Sequence, residues 1–224
     1  TDKTSGLWLA SPSNPTGTIL ERSELKAACD WAAARKKHLL VDEIYHGLHY
    51  VDDLPSVLEL DQSAFVVNSF SKYFGMTGWR LGWIVVPQEH VEMATVLAQN
   101  MYISASSISQ YAALAAFTPE AKCIFEERRE AFRRRKDFLA GALKSMGFSL
   151  SENIQGAFYV YANISKFSDD CEKFCHEMLE KHGVALTPGT DFGDFESKSH
   201  VRIAFTTDME SLELGVERLQ NALL

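Results

Sequence analysis

Three short apolar runs, Leu7–Ala10, Leu39–Val41 and Phe65–Val67, each stop at a polar motif, and this pattern constrains the fold more than any other feature of the chain. Runs this short are poor helices and suit strands covered on both faces. Between the first two, Leu25, Ala28, Cys29 and Ala32 make an apolar stripe that predicts a helix from Ser23 to about Lys37, with Arg35, Lys36 and Lys37 suited to its C-terminal end. A further stretch, Arg80–Val86, stops at Pro87 and reads as another strand. Apolar strands joined by a helix or a long connection predict an α/β fold with a mostly parallel sheet. In such sheets ligands sit beyond the carboxyl ends of the strands. The polar motifs after the three runs, around Asn14, Asp42 and Ser69, fall where that rule wants them.

The rest of the chain reads differently. Helices are expected from about Glu89 to Met101 and from Ser107 to Phe117. Thr118-Pro119-Glu120 then supplies an N-cap, a proline at N1 and an acid in the first turn, so a long helix should run to about Met146, with Gly147 as its stop. Strands are expected near Ala157–Asn163, Val184–Thr187 and His200–Phe205, and helices near Asp169–His182 and Asp208–Leu223. Thr207-x-x-Glu210 has the spacing of a capping box for the last helix. The expected division is 1–118 for a first domain and 119–224 for a second, smaller α/β domain entered by the long helix.

Composition narrows the function. At 46% hydrophobic, 224 residues can bury one sizeable core or two smaller ones. A net charge of −8 disfavours nucleic acid and anionic membranes as partners, yet a few local arginines could still hold a small anion. The longest apolar stretches, such as Leu81–Pro87, are too short to span a bilayer, and no signal peptide is legible at the start. Four cysteines suit reduced thiols and a cytoplasmic location. Cys171, Cys175 and His176 lie close together but lack further ligands, so packed or surface thiols are expected there and no metal.

Asn14-Pro15-Thr16-Gly17 by itself marks a turn, and Asp42-Glu43-x-Tyr45 by itself is an acidic strand end. Arg202, in His200-Val201-Arg202-Ile203-Ala204-Phe205, could be an ordinary exposed strand residue. Ser69-Phe70-Ser71-Lys72-x-x-Gly75-Met76-Thr77-Gly78-Trp79-Arg80-x-Gly82 is another matter. It sets two serines, a lysine and an arginine among three glycines, and a bland connection has little need for that combination. His46 and His49 could be read as bases or a metal pair, and a structural or pocket-lining role is the simpler expectation. Trp79 and Trp83 are expected to pack.

The last of these motifs resembles, along its whole length, the cofactor-lysine motif of the fold type I aminotransferases, the aspartate aminotransferase superfamily. The other three follow in that family's order, and Gly156-Ala157-Phe158-Tyr159 and Pro188-Gly189-x-x-Phe192-Gly193 are also similar to it. The resemblance implies pyridoxal 5′-phosphate as cofactor and a Schiff base on Lys72, whose freed amine would then move the proton between Cα and the cofactor's C4′. A partly desolvated lysine beside a cationic ring loses its proton more readily, as both tasks require. It implies Asp42 at the pyridine nitrogen, Tyr45 and Asn14 at the ring oxygen, and Ser69, Ser71 and Arg80 at the phosphate. Arg202, helped by Asn14, would hold the substrate α-carboxylate. Transamination between an amino acid and a 2-oxo acid is the implied activity, and a homodimer the implied assembly.

The cofactor lysine of this family normally lies past the middle of the chain, whereas here it is at position 72. The expectation is therefore the C-terminal half of a large cofactor-binding domain followed by a small domain, a stretch inactive or poorly soluble by itself. Three alternatives stay open. Relatives with the same motifs carry out carbon–sulfur elimination or cyclopropane-forming chemistry. Some transcription regulators use such a domain to sense ligands. A cofactor-free structural remnant is the last, and the full set of polar residues argues against it.

Overall fold

The computed structural model describes residues 1–223. The chain forms two compact units, one of Thr1–Pro12 with Ile19–Arg129, the other of Ser13–Thr18 with the chain from Glu130 onward.

In the first unit, β1 (Gly6–Ala10), β2 (His38–Asp42), β3 (Phe65–Ser69) and β4 (Gly82–Val85) form one sheet in that order. β1, β2 and β3 are parallel, with Leu9 opposite Val41 and Val41 opposite Val66. The helix α1 (Arg22–Arg35) provides the crossover from β1 to β2. Cys29 and Ala32 of α1 join Leu39, Val41, Val57, Ala64 and Val66 in one core. α1 ends two residues earlier than expected because Lys36 takes a left-handed conformation (φ 52°) and its N–H closes on Ala33.

β4 departs from expectation in three ways. It begins at Gly82 because Arg80 is left-handed (φ 52°) and cannot continue a strand. It runs antiparallel to β3, since residues 70–81 form a reversing turn and leave no room for a crossover. It is also exposed along its length, with Ile84 at 53%, so this strand is not covered on both faces. α2 (Val91–Tyr102), α3 (Ser107–Ala115) and the first turns of α4 (Pro119–Met146) follow. Thr118 caps α4 by accepting from the Ala121 N–H at 3.2 Å. Ala113, Ala116 and Phe125 from this helical part bury Phe70, with Tyr73, Phe74, Met76 and Leu81 packed around them. The reversing turn thus rests on a second core of its own. Each buried aromatic there is worth about 1.5–3 kcal/mol.

The second unit holds β5 (Ser149–Leu150), β6 (Tyr159–Asn163), β7 (Thr187–Pro188) and β8 (His200–Ala204), in the order β5-β6-β8-β7 and all antiparallel. Val160, Ala162, Val201 and Ile203 point to its buried face. α5 (Cys171–His182) and α6 (Met209–Leu223) contribute Phe174, Met178, Leu212 and Leu219 to the unit's buried residues. Several boundaries differ from the expected ones. β6 starts at Tyr159 because Ala157 has φ 58°. β7 is shorter because the Val184 N–H is spent on Met178 O (3.0 Å), closing the cap that left-handed Gly183 makes on α5. α6 is capped by Asp208, which accepts from the Ser211 N–H at 2.8 Å, and not by Thr207. Among the described residues no helix is long and apolar enough to cross a membrane.

Candidate active site

Two turns at the carboxyl ends of β2 and β3 carry the candidate residues of the first unit. Asp42 closes β2, and its Oδ1 accepts from the Ile44 N–H at 2.9 Å. That bond folds the chain into a tight turn through Tyr45 to Leu48, closed by Leu48 N–H to Tyr45 O at 2.8 Å. Glu43 points the opposite way, into the core. It is 4% exposed and accepts from Ser56 Oγ (3.0 Å) and the Val57 N–H (2.9 Å). Burial raises its pKa, against the pull of those hydrogen bonds. Glu43 therefore anchors the following loop, which leaves Asp42 as the carboxylate available at the strand end. His46 lies 3.5 Å from Glu43, and burial pushes its pKa down to about 4. At neutral pH it is an uncharged, enclosed ring. Burial lowers His49 as well, with Arg129 adding to the effect.

The second turn starts at the end of β3. The Ser69 Oγ proton serves either Ser71 Oγ (2.9 Å) or Leu81 O (3.1 Å), while the Ser71 N–H donates back to Ser69 Oγ at 3.0 Å. Thr77 Oγ1 closes the turn on Ser71 O at 2.6 Å, and Arg80 Nη1 donates to Thr77 O at 3.0 Å. Ser69, Ser71 and Arg80 thus belong to one knot of hydrogen bonds, and Arg80 stays exposed. Lys72 leaves the same turn, and its Nζ stands 5.6 Å from the centre of the Tyr45 ring.

A glycine explains why the two turns meet. A Cβ on Gly47 (φ 91°) would overlap the Tyr73 ring, so only glycine lets that ring lie against the first turn. Tyr73 is held from its other end by a 2.5 Å hydrogen bond to Glu126, which also pairs with Arg129. Burial and this bond push the Tyr73 pKa up to about 12. The backbone next to Lys72 is thereby held in place.

In the second unit Arg202 lies on β8 directly opposite Tyr161 of β6 and Thr187 of β7. Its Nη1 donates to Asn14 Oδ1 at 2.8 Å, and Nη2 lies 3.5 Å from Thr187 Oγ1. Asn14 reaches this unit on the tight turn Ser13–Thr18, which is closed by Gly17 N–H to Ser13 O at 2.8 Å. The structure brings Asn14 and Arg202 together across 188 residues of sequence. The guanidinium also lies 4.1 Å from the Tyr159 ring centre and 4.6 Å from that of Phe192. Sequence reasoning assigned no role to Tyr159, Thr187 or Phe192, because the approach of the first two depends on strand register and that of Phe192 on the turn after β7. Cys171 and Cys175 are buried free thiols, Cys175 pushed up to about 12 by burial.

The first unit's mostly parallel sheet, with a lysine and a hydroxyl-rich turn beyond its carboxyl edge, has its counterpart in solved aminotransferase structures. An aminotransferase from Mycobacterium tuberculosis superposes with a TM-score of 0.95 at 39% identity, over 98% of this chain and 57% of its own. The aromatic aminotransferase from Pyrococcus horikoshii gives 0.94 at 33% identity, over 100% and 61%. Residues 1–219 match the model of the family aminotransferase class I and II, and the chain belongs to that family. Among curated relatives, a valine–pyruvate aminotransferase of Mycobacterium tuberculosis is 39% identical over 96% of this chain and 56% of its own length. A (5-formylfuran-3-yl)methyl phosphate transaminase of Methanocaldococcus jannaschii is 36% identical over 99% and 58%. The chain thus spans a little over half the length of these relatives. The family is in general dependent on pyridoxal phosphate.

Proposed function

We infer that the protein transfers an amino group from an amino acid to a 2-oxo acid with pyridoxal phosphate as cofactor. The observation that carries this reading is the seating of the Lys72 amine over Tyr45, in the same turn as Ser69, Ser71 and Arg80. The first unit would be part of the large cofactor-binding domain and the second the small domain. The donor set fits the cofactor group by group. Two hydroxyls and a guanidinium suit a phosphate dianion, a strand-end carboxylate suits a pyridinium N–H, and a lysine amine suits an aldehyde. Arg202 fits a carboxylate. Its Nε is buried with no hydrogen-bond partner among the described residues, a donor left for an incoming oxygen.

When bound, the cofactor supplies an aldehyde that takes up the amino group and a ring that accepts the electron pair left at Cα. The chain supplies the rest. Asp42 would keep the ring nitrogen protonated. Tyr45 Oη would donate to the ring oxygen. Asn14 would do the same. Ser69, Ser71 and Arg80 would hold the phosphate and so fix the ring in place. Arg202 would fix the α-carboxylate, which sets the direction of the Cα–H bond. Lys72 Nζ would take the Cα proton and return it one position along.

Borohydride reduction of the full-length protein incubated with pyridoxal phosphate tests the attachment. A pyridoxyl-phosphate mass on the peptide bearing Lys72 is the expected result. The same mass spread over several lysines, or found on another single lysine, would overturn it.

A further inference from the structure

We propose that Tyr159 and Phe192 are positioning residues for Arg202, fixing its guanidinium so that it selects a carboxylate. This rests on the reading of Arg202 as the α-carboxylate site and says what makes that site selective.

The argument starts from strand register. Tyr161 and Thr187 are the direct neighbours of Arg202 on β6 and β7, and Tyr159 is opposite Ala204. Side chains alternate along a strand, so Tyr159, Tyr161, Thr187 and Arg202 share one face, while Val160, Val201 and Ile203 take the buried one. A ring two residues along the neighbouring strand is within reach of a long side chain. The guanidinium carbon lies 4.1 Å from the Tyr159 ring centre, close enough for a cation–π contact.

Phe192 arrives from a different direction. It ends the 3₁₀ turn Gly189–Phe192 that follows β7. A Cβ on Gly189 would overlap Ser197 O and stand 2.7 Å from His200 O, so glycine is what lets this turn sit tight against the start of β8. Phe192 then reaches the guanidinium at 4.6 Å, with Tyr161 edge-on to it at 6.3 Å. The two rings, with Asn14 on Nη1, limit the torsions an arginine in this place could adopt. They also replace water against the cation. A partly desolvated, confined fork binds a planar carboxylate bidentately and loses more when offered a neutral amide.

The test uses full-length protein loaded with pyridoxal phosphate and an unreactive pair of probes, 3-methylbutanoate and 3-methylbutanamide, with dissociation constants measured by calorimetry. Phe192→Leu and Tyr159→Leu keep apolar bulk and remove one ring each. Each is expected to weaken carboxylate binding roughly 2- to 30-fold, the range of one cation–π contact, with little change for the amide. Phe192→Tyr restores wild-type binding. Arg202→Gln, which removes the charge, is the control on the underlying reading. If Arg202→Gln loses the carboxylate preference while both leucine variants keep it, the positioning role is overturned and the carboxylate site stands. If Arg202→Gln itself leaves the preference intact, the site is elsewhere and the proposal falls with it. Should Tyr159→Leu fold poorly, Phe192→Leu, in a half-buried turn, decides the question by itself.

Discussion

Polar residues near Lys72 divide by burial into those that hold the turns and those left open to a ligand. Asp42 and Glu43 are neighbours of the same chemical type, yet one ends a strand with its carboxylate on a backbone N–H and the other is enclosed under the Ser56 loop. His46 belongs with Glu43. Its folded pKa of about 4 lies below the ordinary value of 6.5, so between those pH values the folded protein binds fewer protons than the unfolded chain. Stability contributed by the neutral ring is therefore complete above about pH 6.5 and is lost as acid charges it towards pH 4. Comparing urea unfolding of the wild type with His46→Gln isolates this group, since the buried Glu43, whose raised pKa acts with the opposite sign, is common to both. The wild type should lose about 3 kcal/mol more than the variant between those pH values. Parallel profiles would mean that His46 titrates normally and is more open than its enclosure implies.

At the level of elements, capping is where single substitutions speak most directly. Asp170 accepts from the N–H groups of both Glu172 and Lys173 at 3.1 Å and opens α5. Asp170→Ala should cost about 1 kcal/mol in chemical denaturation. A neutral result would mean that α5 is held by Phe174 and Met178 alone. The same helix illustrates what the sequence could convey. Its extent to His182 was legible, as were the three parallel strands, because each depends on residues close in the chain. The shortened β7 was not, because it depends on the Val184 N–H turning back to Met178. The late start of β4 was equally hidden, since a left-handed arginine is rare enough that nothing local announces it. The candidate site divides along the same line. Lys72, Ser69, Ser71 and Arg80 come from one contiguous motif and could be read together. Asn14 and Arg202 could be paired only by resemblance, and the packing of Tyr159 and Phe192 on Arg202 required knowing the strand register and the turn after β7.

For the whole molecule, the first unit presents an apolar surface out of keeping with an ordinary exterior. Ile84 and Val85 of β4 and Met93, Val96, Leu97 and Met101 of α2 are all exposed. The chain spans 56% of the length of the valine–pyruvate aminotransferase it resembles. The activity proposed here is accordingly that of the full-length protein, and the most direct test of it is an absorbance spectrum of that protein with pyridoxal phosphate, recorded before and after a panel of amino acids. The account predicts a visible band for the internal cofactor linkage that Lys72→Ala abolishes, and that at least one amino acid converts to the spectrum of the aminated cofactor. A band that no amino acid alters would contradict amino-group transfer, and a band that survives Lys72→Ala would contradict the site.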